Sequence, residues 1–327
     1  MRPSPDQLVF NVVWTGTVFD HLEPFVASQL AQDGARFRFV ANACPADQVA
    51  ALERFAAAHP GRVVEVLEVS TERMVRHGDA LDEVLRTRHD GDWFAFVDPD
   101  IAALGPYLER FRALLDDADA VTSGAEVWSD RNVRPVDHPG VSGEHFFDQD
   151  GYTFGSPHFA IYRRAPLVAT MDRWSVGFSN AGNDLTDAAR ARLVEVGRSY
   201  WIYDTAKIVN VLLQADGHRL VHEEHPALLH IGAVSHLLAP PSSAPASRGR
   251  PPGWGEGPDW GEQPGQAARH QVASFAAAVL GAALAGHAVP EVPADADPHL
   301  VERLHRVRTA LAELVAAHPP LEREPAR

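Results

Sequence analysis

The segment that most limits how this chain can fold is Asp92-Trp93-Phe94-Ala95-Phe96-Val97-Asp98-Pro99-Asp100. An apolar run from Trp93 to Val97 is bounded by charge on both sides. It is too short for a helix and too continuous for a half-exposed strand, so it reads as a buried strand of a parallel sheet. Parallel strands need crossovers, and the chain around this one should alternate strand with helix. The carboxylates Asp98 and Asp100 fall immediately after the strand. Ligands of open α/β sheets bind beyond the carboxyl ends of the strands. An Asp-x-Asp pair there offers hard oxygen ligands to a divalent cation, which can bridge to a diphosphate. The tripeptide alone has a plainer explanation, an acidic turn closing a strand, because short motifs match by chance.

The alternation is present. Leu8 to Trp14 is strand-like and leads through Thr15-Gly16-Thr17 into a helical pattern carrying Phe25, Val26 and Leu30. Phe37 to Ala41 is a second strand ending at Asn42, followed by a helix over 48–58 and a third strand over 63–67. A helical stretch from Val75 to Leu85 precedes the Asp-x-Asp strand, the fourth. This order predicts an α/β class: a Rossmann-like, mostly parallel central sheet flanked by helices. Further along, the pattern predicts a helix over 106–116 and a strand over 120–128. A polar loop follows over 129–151, then a strand over 152–163 bent at Ser156-Pro157. Helices are predicted over 184–197 and 204–215, and a strand over 217–221. The stretch from His230 to His236 closes this part.

Residues 239–266 read as a linker, because Pro240-Pro241-Ser242-Ser243 and Pro251-Pro252-Gly253 cannot build a core. Trp254 and Trp260 should dock it to the body, since free exposed tryptophans are costly. Beyond it lie two helices, 267–284 and 298–317, forming a C-terminal helical appendage. Leu300, Leu304, Val307, Leu311 and Leu314 make a stripe at helical spacing, a packing face against the body or a partner chain.

Charge narrows the possible partners. The 327 residues carry a formal net charge of −15, which argues against broad nucleic-acid or anionic-membrane binding. An acidic protein that binds a diphosphate needs local positive charge, and a cation at Asp98 and Asp100 would supply it. One cysteine, Cys44, allows no intramolecular disulfide and fits a reducing compartment. The first residues lack the apolar core of a signal peptide, and no apolar run approaches the ~18 residues of a spanning helix. The expected location is cytoplasmic.

Four features together resemble the GT-A glycosyltransferases, in particular family-2-like enzymes that use nucleotide-diphospho-sugars. They are the first strand running into Thr15-Gly16-Thr17, the second strand ending at Asn42, the segment Arg76-His77-Gly78-Asp79-Ala80-Leu81-Asp82, and Phe96-Val97-Asp98-Pro99-Asp100-Ile101. The resemblance spans about residues 8–236. It implies a GT-A domain over 1–238, with a donor-binding half over about 1–105 and an acceptor half over 106–238. It also implies a divalent metal, Mn2+ or Mg2+, a nucleotide-sugar donor, and a small-molecule or glycan acceptor. Thr15, Gly16, Asn42, Arg76, His77, Gly78 and Asp98 would line the donor. Asp98, Asp100 and His230 would hold the metal, with His236 behind His230 as the next candidate. The general base would be a carboxylate at a helix start, Asp204 first and Asp184 second, with Asp148 and Asp150 further possibilities. Each has a plain alternative, since Asp is a favoured helix cap and any one of seventeen histidines can be structural. The Glu-Asp or Asp-Asp form of the base motif is absent, which leaves inverting or retaining chemistry open. The competing functions are a non-catalytic sugar-nucleotide or glycan-binding protein on the same frame, a HAD-like phosphatase and a sugar nucleotidyltransferase. The C-terminal helices offer a surface for a homo-oligomer.

Overall fold

The computed structural model describes residues 2–32, 34–128, 148–149, 152–153, 158–198, 200, 205–232, 234–238 and 266–321. The first half runs β1 (Val9–Thr15), α1 (Phe19–Leu30), β2 (Arg36–Asn42), α2 (Ala46–Ala58), β3 (Val63–Ser70), α3 (His77–Thr87), β4 (Trp93–Val97), β5 (Ile101–Ala103) and α4 (Leu108–Leu114). The next group is β6 (Ala120–Ser123), β7 (Asp148–Gln149), β8 (Tyr152–Thr153), β9 (Phe159–Arg163), α5 (Arg164–Trp174), α6 (Asp187–Glu195) and α7 (Lys207–Ala215). The chain closes with β10 (Leu220–His222), β11 (Leu228–His230), α8 (Val234–Leu238), α9 (Gln266–Leu284) and α10 (Val301–Ala317).

Seven strands form one sheet in the order β10-β6-β9-β4-β1-β2-β3. All pairs are parallel except those of β9, which runs antiparallel to both β4 and β6. The expected mostly parallel α/β sheet is therefore present, with one reversed strand beside the Asp-x-Asp strand. Beyond the carboxyl end of β4, β5 pairs antiparallel with β11, placing His230 opposite Ile101.

Strand alternation splits the apolar side chains between two cores. Phe10, Val12, Trp14, Phe37, Phe39, Ala95 and Val97 enter one core, covered by α1, α2, α4, α9 and α10. Val13, Val40, Phe94 and Phe96 enter the other, covered by α3, α5, α6 and α7. Both faces are buried, which explains the continuous apolar runs of β1 and β4. The leucine stripe of α10 faces the first core through Leu304, Val307, Leu311 and Leu314, alongside Val272, Ala276 and Leu280 of α9. The two C-terminal helices thus pack on the sheet with α1. Among the described residues, no helix is long and apolar enough to cross a membrane.

Several boundaries differ from expectation. The strand predicted over 120–128 ends at Ser123, because Gly124 takes φ +98° and turns the chain. The stretch predicted as one strand over 152–163 divides into β8 and β9. The helix predicted from Asp184 starts at Asp187, and its cap is Thr186, whose hydroxyl accepts the Ala189 N–H at 3.2 Å. Asp184 belongs to a preceding 3-10 turn, Gly182–Asp184. The cause is Leu185, which is extended and buried in the second core, so a helix cannot run through it. The polar loop predicted over 129–151 contains β7 at Asp148–Gln149; its other residues, and residues 239–265 of the linker with Trp254 and Trp260, lie outside the described residues.

One buried charge ties four strands together. Arg38 of β2 donates to Glu65 of β3 at 2.5 Å, to Asp90 ahead of β4 at 2.7 and 2.8 Å, and to the Asn11 side chain of β1 at 3.1 Å. Asn11 in turn donates to the Ala95 carbonyl of β4 at 2.8 Å. Replacing Arg38 leaves the half-buried Asp90 without its ion-pair partner and Glu65 with Arg88 alone. Arg38→Met is expected to lower unfolding free energy by about 3 kcal/mol, read as a shift in urea midpoint. Lys at this position should rescue only part of the loss, because it lacks the planar fork that serves both acids.

Candidate metal centre

β4 delivers Asp98 to the edge of the sheet, and a tight turn follows in which the Ile101 N–H donates to the Asp98 carbonyl at 3.2 Å. That turn swings Asp100 inward, where it is buried. Strand β11 brings His230 to meet it, with Nε2 3.3 Å from Asp100 Oδ1. The other ring nitrogen, Nδ1, lies 2.6 Å from the Gly124 carbonyl oxygen. A carbonyl can only accept, so the proton of a neutral His230 sits on Nδ1 and the Nε2 lone pair faces Asp100.

The reversed strand contributes a second imidazole. The Asp98 N–H donates to the His158 carbonyl at 2.7 Å, extending the β4–β9 register by one residue. The His158 ring then lies between two acids, Nδ1 at 2.8 Å from Asp98 Oδ2 and Nε2 at 3.1 Å from Glu126 Oε1. The His158 and His230 rings are 4.4 Å apart. One ligand atom from each of Asp98, His158 and His230 lies within 4.8 Å of the others.

The electrostatics are those of buried opposite charges. Burial pushes the Asp100 carboxyl up, but His230 and His158 outweigh it and hold it below the usual range. Glu126 is held low in the same way against its own burial, chiefly by His158. Burial disfavours charge on His158, yet Glu126 and Asp98 raise it well above its ordinary value. His230 is raised by Asp100 against burial and the neighbouring imidazole. Asp98 Oδ1 is buried and makes no hydrogen bond among the described residues. An unsatisfied buried carboxylate oxygen beside two imidazoles and two further acids suits a divalent cation.

The expected donor-lining residues divide. His77 opens α3, 3.6 Å from Asp98 Oδ1 through Nε2, and its Nδ1 is 3.3 Å from the Thr205 hydroxyl. Thr15 and Asn42 end adjacent parallel strands in register, and Gly16 follows with a positive φ and open space about it. The Asn42 amide is spent on Val75, donating to its carbonyl and accepting its N–H, both at 2.9 Å. Its evident work is to hold the chain that enters α3. Arg76 donates to Asp79 at 2.7 Å and to Asp184 at 2.6 Å. Gly78 allows close approach: a Cβ there would lie 2.5 Å from Ser179 Oγ and 2.7 Å from backbone.

Of the expected bases, Asp184 is ion-paired to Arg76. Asp204, Asp150, and the side chains of Asp148 and His236 lie outside the described residues. His158 and Glu126 were not singled out in the sequence. The signal for His158 was its position one residue before an apolar strand, but only antiparallel pairing with β4 sets it against Asp98.

No family model matches the chain, and no curated protein matches it in sequence. It is similar to solved structures. One is a mannosyltransferase, PcManGT from Pyrobaculum calidifontis, in complex with GDP-Man and Mn2+, at 17% identity and a TM-score of 0.41 over 99% of this chain and 77% of that one. Another is S. aureus TarS 1-349, at 13% identity and 0.42 over 95% of this chain and 81% of that one. A third is a galactosyltransferase, LgtC, in complex with donor and acceptor sugar analogues, at 12% identity and 0.38 over 65% and 73%.

Asp82, in the α3 segment singled out above, carries a measurable signature. Its carboxylate accepts the Phe178 N–H at 3.1 Å, and burial pushes its pKa up to about 7. A carboxyl raised above its unfolded value favours the fold while protonated. That contribution is complete below about pH 4 and is lost as pH rises through about 7. Asp82→Asn keeps an acceptor without a charge. The variant is expected to match wild type in stability at about pH 3.5 and to exceed it progressively up to pH 8, by at most roughly 4 kcal/mol. A melting-temperature difference that does not change with pH would refute this.

Proposed function

We propose that the chain is a metal-dependent glycosyltransferase that moves a sugar from a nucleotide-diphosphate donor to an acceptor hydroxyl. The observation that supports it most is the meeting of Asp98, Asp100 and His230 at the carboxyl edge of the parallel strands. These residues come from two distant parts of the chain, and a chance Asp-x-Asp turn would have no reason to gather a buried histidine. In this reading Asp98, Asp100 and His230 hold Mn2+ or Mg2+. When bound, the cation supplies Lewis acidity for the departing diphosphate. Arg76 is largely neutralised by Asp79 and Asp184, so His77, beside Asp98, is the nearer polar group for the donor. Thr15 and Gly16 stand at the ends of the strands where the nucleotide would lie.

Asp204 is the proposed base, taking the acceptor hydroxyl proton during attack. Two observations favour it over Asp184. Asp184 is already engaged in an ion pair with Arg76. Thr205, the chain neighbour of Asp204, reaches His77 at the centre. The same ion pair at Asp184 also supports a second reading, a sugar-nucleotide-binding protein without turnover. Hydrolysis of a nucleotide-sugar in the presence of metal separates the two.

Two outcomes test the proposal. A thermal-shift screen of nucleoside diphosphates is expected to show stabilisation only when Mn2+ or Mg2+ is present. Asp100→Ala should abolish that shift while far-UV circular dichroism stays native, and unchanged affinity by calorimetry would reduce the turn to a structural one. Asp204→Asn should cut turnover at least about a hundredfold with donor affinity nearly constant, because a base acts in the transition state. Asp184→Asn is the control and should leave turnover within about twofold.

A further inference from the structure

We propose that His158 is a second imidazole ligand of the metal, oriented by Glu126, and that the centre therefore selects manganese-class ions over magnesium. This rests on the metal reading above. Both imidazoles are prepared in the same manner. His230 gives its Nδ1 proton to the Gly124 carbonyl and presents Nε2 towards Asp100. His158 gives its Nε2 proton to Glu126 and presents Nδ1 towards Asp98. A histidine whose outer nitrogen donates to a carboxylate or carbonyl, with the inner one facing acids, is the usual arrangement of a metal-bound imidazole. Coordination replaces the His158 Nδ1 proton, which leaves to solvent.

Glu126 is held for this orienting role. The Ala125 N–H donates to Glu224 at 2.9 Å, and the Val127 N–H donates to the His230 carbonyl at 2.9 Å. Arg303 of α10 donates to the Trp128 carbonyl at 3.1 Å. On the far side Gly232 makes room, since a Cβ there would lie 2.6 Å from Glu126 Cγ and 2.8 Å from Trp128 Nε1. The segment is fixed from both ends, so Glu126 cannot easily swing away from His158. Two imidazoles among carboxylates form a mixed nitrogen and oxygen donor set. Magnesium prefers oxygen ligands alone, whereas manganese and the later divalent ions accept imidazole more readily.

The full-length chain, stripped of metal by chelation, is the test material. Calorimetric titration is expected to give Mn2+ an affinity at least about tenfold above that of Mg2+. Glu126→Gln and His158→Gln should each weaken Mn2+ binding about 10–100-fold and narrow the gap to Mg2+. A second measurement needs no variant. Electron spin-echo modulation of Mn2+ bound to the wild-type chain should show coupling to two imidazole nitrogens. Coupling to one nitrogen, or Mn2+ binding unchanged in both variants, overturns the proposal while leaving a centre built from Asp98, Asp100 and His230. A wild-type chain that binds neither ion overturns the metal reading itself, and this inference with it.

Discussion

Strand β4 is paired in parallel with β1 on one side and antiparallel with β9 on the other. The centre depends on that mixed pairing. A parallel neighbour ends at the same edge as β4 and can only place its last residues beside Asp98. An antiparallel neighbour begins there, so the residue preceding it is brought directly across from the carboxylate. His158 occupies that position and is tied to Asp98 through both main chain and side chain. β5 and β11 repeat the device one turn later, with Asp100 leading into one strand and His230 ending the other.

The acids at this edge would be expensive if left to themselves. Asp100 is buried, and Asp98 and Glu126 are mostly enclosed. Charged groups taken out of water need partners within hydrogen-bond reach. In the arrangement described, the two imidazoles serve as those partners, which explains why both sit above their ordinary pKa although His230 is buried and His158 largely enclosed. The protein as a whole is strongly acidic, so remote charge gives no help. The same logic applies at the opposite end of the strands, where Arg38 neutralises Asp90 and shares Glu65 with Arg88.

The sequence disclosed what local patterns determine. β1 to β4 were legible because strands buried on both faces leave unbroken apolar runs, and α10 because its leucines keep one face. Asp98 and Asp100 were legible because they end such a run. His230 followed from the family resemblance and from Leu228-Leu229 ahead of it. His158 was hidden because Ser156-Pro157 reads as a bend inside a longer strand, and nothing local reports which strand will lie beside β4. Glu126 was hidden because its predicted strand continued through it, whereas Gly124 ends that strand and turns the carboxylate inward. Asp184 was misplaced because Asp-Leu-Thr-Asp holds two competing caps, and only the burial of Leu185 decides for Thr186. Asn42 and Gly78 were named as donor-lining residues, whereas the hydrogen bonds of one to Val75 and the tight packing of the other against Ser179 are tertiary facts.

The anchoring of residues 124–128 bears on how the molecule is assembled in time. The wall that carries Glu126 is secured by Arg303, a residue synthesised long after the 124–128 segment it braces. β1 to β4 can pair once the first hundred or so residues have been made, whereas the brace spans 175 residues and its greater loop-closure entropy must be met before it forms. During synthesis the nascent chain would thus hold a formed sheet with an unfinished edge. α9 and α10 also cover part of the first core, so that surface stays open to water and to other chains until they dock. Completion of the centre becomes a late event in biogenesis, coupled to the shielding of the last apolar surface.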